Sequence, residues 1–124
     1  MRFTAAIMLI LSVSASVLVG CATSDYGRIT NKIAEYEVRD AKTEQTLKGT
    51  QDRAIQLQCL NSLIQSTETQ LKLAKRINPS SNPGVRKGEI TYEAAKAEAN
   101  SRIEALENRL REYRKQRAAL GTGT

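Results

Sequence analysis

The chain contains no histidine and no tryptophan, one phenylalanine, two prolines and two cysteines among its 124 residues. Without histidine, the commonest general base at neutral pH is missing. The Ser/His/Asp and Cys/His arrangements of nucleophilic catalysis go with it. Two cysteines and no clustered acids supply no metal-ligand spacing, and the seven glycines form no phosphate-cradling loop. The expectation is a protein that is not an enzyme and takes no metal, no other cofactor and no small-molecule substrate. Large apolar side chains are also scarce. Of 50 apolar residues, 15 fall within residues 1–21, and of the 35 that remain only 18 are Val, Ile or Leu while 12 are Ala. Such a stretch fills only a narrow core, since small domains bury proportionately little surface.

What is present begins with an address. One basic residue, Arg2, precedes the uncharged and mostly apolar residues 4–19. The strongly apolar part covers about 15 residues, short of the roughly 20 needed to span the hydrocarbon core. A basic start, a short apolar stretch and small residues at its end make a secretory signal, here residues 1–20. Leu18-Val19-Gly20-Cys21 then resembles the lipobox of bacterial lipoproteins: an aliphatic residue, a small or β-branched one, Gly or Ala, then Cys. The resemblance covers the first 21 residues only, with all four motif positions matched. It implies a diacylglycerol (a covalent lipid) on the Cys21 thiol and peptidase cleavage between Gly20 and Cys21. Acylation of the new amino terminus can follow. Each buried methylene contributes about 0.8 kcal/mol, so two or more chains anchor stably where one binds marginally. Ala22 stands where an Asp signals inner-membrane retention in diderm bacteria. The resemblance therefore implies the periplasmic face of the outer membrane, or the outer surface of the cell membrane in a monoderm host.

The rest reads as all-α. Residues 21–27 are a polar tether after the acylated Cys. Residues 28–77 hold no Pro and one Gly amid Ala, Leu, Lys, Arg, Glu and Gln, the residues that lose least in a helix. Ile29, Ile33 and Tyr36, then Leu47, Thr50, Ala54, Leu57, Leu60, Ile64, Thr67, Leu71 and Ala74, follow three- and four-residue steps, the spacing of a coiled-coil seam. Two prolines and turn residues break the chain at 78–88. A second helix is predicted over 89–120, with Tyr92, Ala99, Ile103, Leu106, Leu110, Tyr113 and Leu120 on its seam. Glu98 with Arg102 and Glu107 with Arg111 form favourable i,i+4 pairs. Residues 121–124 form a flexible tail.

At 1.5 Å per residue the first helical region reaches about 75 Å and the second about 48 Å. The second covers only the later part of the first. The sequence therefore predicts a long antiparallel hairpin whose membrane-proximal residues 28–47 stand out as a helical stalk. Asp40 and Thr43 on the seam argue against folding that segment back. The alternative is a three-helix bundle, permitted by Gly49 with Thr50 capping a helix from Gln51.

Two further features invite function. Cys59 is the one thiol left once Cys21 carries lipid, and it reads either as a small buried hydrophobe or as half of an intermolecular disulfide. Residues 109–117 carry five cations, Arg109, Arg111, Arg114, Lys115 and Arg117, against one acid. A basic run neutralises phosphates, but an exported, lipidated chain does not meet nucleic acid. The run instead complements the helix dipole or offers a surface to an acidic partner or anionic headgroups. In a hairpin it lies nearer the lipidated end than the loop does.

The expected function is that of a lipid-anchored periplasmic helical protein, a structural spacer, adaptor or subunit of a cell-envelope assembly working through coiled-coil contacts. An alternative is an accessory lipoprotein of a conjugative or phage element, serving a secretion channel, entry exclusion or lysis. Small type IV secretion lipoproteins are similar in carrying a second Cys. So narrow a core predicts self-association or a helical protein partner.

Overall fold

The structure, a computed structural model, describes residues 25–122. They form an all-α fold. Helix α1 spans Asp25–Gly49, α2 spans Arg53–Lys75, a 3-10 turn covers Pro79–Ser81, the four-residue α3 covers Pro83–Arg86, and α4 spans Tyr92–Thr122.

Helix α1 ends at Gly49, and three residues turn the chain back. The cap of α2 is Asp52 rather than Thr50: its carboxylate accepts from Ala54 N at 2.9 Å and from Ile55 N at 3.4 Å. Thr50 plays a supporting part, its Oγ1 accepting from Asp52 N at 3.2 Å. An aspartate one residue before the helix satisfies donors that have no partner within it and suits the positive end of the dipole.

Residues 28–47 are therefore not a projecting stalk. They pack along α2, and α2 packs in turn against α4. The structure takes the three-helix alternative, with α2 in the middle, so that Leu63, Thr67 and Gln70 lose nearly all solvent contact. Two apolar clusters join the layers. Ile33 of α1 meets Ala74 of α2, Ile77 and Leu106 of α4, flanked by Ile29 and Ile103. Leu60, Leu63 and Ile64 of α2 meet Leu110 and Tyr113, flanked by Leu47 and Leu120. Burying one such Leu contributes about 1.5–3 kcal/mol. The Asp40 that argued for a stalk is 8% exposed, because α2 supplies Gln70 to receive it.

The Pro/Ser/Asn stretch is an ordered connector. Asn78 caps the 3-10 turn and Asn82 caps α3, each followed by proline at the first helical position, where a missing N–H costs nothing. Gly88 has φ +75°, a conformation that favours glycine. The amides of Glu89 and Ile90 then return to Gly84 O at 2.8 and 3.1 Å. A Cβ at Gly84 would stand 3.0 Å from Ile90 Cγ1, so the turn closes tightly over this residue. Helix α4 starts at Tyr92 instead of residue 89 and runs on to Thr122, two residues into the expected tail, and Thr91 Oγ1 accepts from Ala94 N at 3.1 Å. In its first turn Tyr92 is exposed and Ala95 is buried.

Candidate functional site

Gly20 and Cys21, the cleavage and lipidation positions, lie outside the described residues. Among the described residues no helix is long and apolar enough to cross a membrane. The site must therefore be built from what the helices present at each end.

Because the chain reverses after α1 and again at residues 78–91, α1 and α4 run in the same direction and α2 against them. The amino-terminal end of α1 consequently shares one end of the bundle with the connector. Asp25 and Arg28 border a groove with Arg76, Asn78 and Ser81, and Tyr26 Oη lies 3.5 Å from Glu98 Oε1 near the start of α4. Burial first, and Glu98 second, raise the Tyr26 phenol above its ordinary pKa. The opposite end joins Glu44 and Leu47 of α1 to Gln56 and Leu60 of α2 and to Tyr113 and Leu120 of α4.

The basic run belongs to that opposite end, reversing the order expected of a hairpin. Arg109 lies 17 residues along α4 from Tyr92, about 26 Å at 1.5 Å per residue. All five cations are exposed, and two reach across to α2. Arg114 Nη2 lies 3.0 Å from Glu68 Oε2, and Arg117 Nη1 donates to Asn61 Oδ1 at 3.0 Å. Arg111 Nη1 donates to Asn108 Oδ1 at 2.8 Å. Glu98 and Arg111, read from the sequence as members of i,i+4 pairs, thus engage Tyr26 and Asn108. Lys115 presents its ammonium to solvent, and the charge of Arg109 acts on Tyr113.

Between the cations, the helix turns Leu110 and Tyr113 inward. Tyr113 is 5% exposed and its hydroxyl donates to Glu44 Oε1 of α1. Burial, then the bond to Glu44 and its negative charge, push the Tyr113 pKa up. Arg53 at the start of α2 donates to the Leu120 carbonyl in the last turn of α4, where a cation meets the negative end of the dipole. The distal turns of α4 are thus held by hydrogen bonds on their inner side, and the five cations are spread around their exposed circumference, Arg109 and Arg111 lying about 200° apart at 3.6 residues per turn.

Cys59 is a free thiol and is buried, 8% exposed. Sequence reasoning missed the Asp40–Gln70 pair, the Tyr113–Glu44 bond and the Arg53 cap. Each joins residues distant in sequence, and only the polar residues on otherwise apolar seams hinted at them.

Against known proteins, the chain matches no family model, no curated protein and no solved structure.

Proposed function

We propose that this is a non-enzymatic, lipid-anchored envelope protein that presents a rigid helical bundle to a protein partner on the periplasmic side of the outer membrane. The observation that carries the reading is the Leu18-Val19-Gly20-Cys21 motif standing just before a helical domain. Only three residues separate Cys21 from Asp25. At 3.3–3.6 Å per residue extended chain, the lipid attachment point is no more than about 14 Å from the start of α1.

With lipid on Cys21 and the bundle upright, α1 leads away from the bilayer, α2 returns and α4 leads away again. Helix α4 has 31 residues, so its far end stands about 45 Å from its start. The adaptor surface in this reading is the distal part of α4 that carries Arg109, Arg111, Arg114, Lys115 and Arg117, and its partner is acidic. Electrostatic complementarity of that kind steers association and fixes register. In that upright position these cations stand too far along α4 to meet the headgroups around the anchor.

Photo-crosslinking in living cells from an unnatural residue at position 115 tests the role. A discrete adduct in the outer-membrane fraction, lost in Arg114→Glu/Arg117→Glu, is expected. A protein that fractionates with the membrane yet gives no adduct contradicts the adaptor role.

A further inference from the structure

The end of the bundle nearest the tether has a composition that the spacer role does not use. Between Glu68 and Glu89, twenty residues carry five cations, Lys72, Lys75, Arg76, Arg86 and Lys87, and no acid. All five are exposed. The fold gathers them, because Lys72 and Lys75 occupy the last turn of α2 while Arg86 and Lys87 sit on the connector beyond it. On the same connector Ile90 is 37% exposed, and Tyr92 directly after it, at the start of α4, is 45% exposed. Nearby acids Asp25, Glu89 and Glu93 only partly offset the charge, and Asp25 is already paired to Arg28. A cationic turn carrying an exposed aliphatic and an exposed Tyr has the chemistry of the membrane interface. There, amphipathic rings settle at headgroup level and each basic residue near an anionic leaflet raises affinity about fivefold.

We infer that this end, centred on Arg86, Lys87, Ile90 and Tyr92, is a docking surface for the anionic phospholipid headgroups of the bilayer that holds the anchor. The inference rests on the lipid-anchor reading. Lipid is the occupant for two reasons. Residues 1–24 join the bundle at this very end, with Cys21 within about 14 Å of Asp25. The charge is also complementary to acidic lipid and falls within reach of the leaflet. The consequence is orientation: acyl chains alone leave a bundle free to tumble, whereas a second contact stands it upright and aims the distal basic turns of α4 into the periplasm.

The chain has no tryptophan, so one can be introduced as the sole reporter. The lipidated protein carrying Tyr92→Trp is reconstituted in vesicles of phosphatidylethanolamine with phosphatidylglycerol, and its fluorescence is read against brominated lipid. A second reporter, Val38→Trp, stands 13 residues along α1 from Asp25, about 20 Å away. The expected result is quenching from position 92 and none from position 38. The quenching should disappear in phosphatidylcholine vesicles, in Arg86→Glu/Lys87→Glu, and at about 1 M salt, where the screening length falls to about 3 Å. Salt changes no residue, so that arm stands even if the double variant folds poorly. Quenching that persists in phosphatidylcholine or high salt overturns the inference. So does equal quenching from both positions, which means the bundle lies flat. An unquenched position 92 in a protein whose mass includes the diacylglycerol overturns the docking surface and leaves the anchor standing, with the basic turn then assigned to an acidic protein. A protein without that lipid overturns both.

Discussion

Asp40 on α1 and Gln70 on α2, thirty residues apart in the chain, meet in a buried hydrogen bond: Gln70 Nε2 donates to Asp40 Oδ2 at 2.7 Å. Gln70 is fully enclosed and Asp40 nearly so. The same nitrogen lies 3.2 Å from Ser66 Oγ, while Gln70 Oε1 is buried without a partner. The pair fixes the register of the first helix on the second, since sliding by one turn would bury both polar groups against apolar neighbours.

Removing one partner is therefore worse than removing both. Asp40→Ala should destabilise the bundle by about 1–3 kcal/mol, because it orphans a buried donor. Asp40→Leu/Gln70→Leu should recover most of that loss, as apolar replacement of both partners is close to neutral. Urea unfolding of the two variants checks the order; a double variant less stable than the single one contradicts it.

The reversal after Gly49 depends on the Asp52 cap. Asp52→Ala should cost about 0.5–2 kcal/mol and Asp52→Asn much less, because the amide oxygen still caps. Thermal melts followed by circular dichroism measure both. Thr50→Ala, which loses only the outer bond of the turn, should melt closer to the parent than Asp52→Ala.

Alkaline pH should destabilise the protein through Tyr113. Its folded pKa is raised above the ordinary value near 10 by burial and by Glu44. The folded state then holds its proton where the unfolded state has released it. The stabilisation is complete below pH about 10 and declines as pH rises above it. Tyr113→Phe should flatten that decline when stability is followed by denaturant titration from pH 8 to 11; an unchanged slope contradicts it. Tyr26, shifted in the same direction, supplies a smaller residual slope.

Burial of Cys59 predicts slow thiol chemistry. A thiol reagent should modify it slowly in the native protein and at once in denaturant, and non-reducing gels of cell envelopes should show a monomer. Rapid native labelling, or a band that reductant shifts, favours the cross-link instead.

Much of the fold was legible because its signals were local. Helical composition, the break at 78–88 and the inward positions Ile33, Leu60, Ile64, Thr67, Ala74, Leu106, Leu110 and Tyr113 follow from spacing alone, and all eight are buried, whereas Ala54 on the same seam is exposed in the first turn of α2. The fold-back was not legible, and the reason is specific. Asp40 on a seam reads as a residue that must face water, and nothing near it in sequence announces Gln70. The hairpin expectation then put the basic run at the wrong end, since one extra reversal exchanges which elements share an end with the tether. Tyr92 failed for another reason: it opens α4 directly after the Thr91 cap and is exposed there, while Ala95 in the same first turn is buried. Of the candidate site, the basic run at 109–117 was visible as composition. Its underside of Tyr113, Glu44 and Arg53 was not, because those contacts span 67 and 69 residues.

Intact-mass and peptide mass spectrometry of the protein extracted from its own membranes tests the central claim most directly. The account predicts a chain beginning at Cys21, heavier than residues 21–124 by a diacylglycerol and, where the amino terminus is acylated, by one more acyl chain; Cys21→Ser should remain uncleaved and unmodified. A bare thiol at position 21, or residues 1–20 still attached, contradicts it.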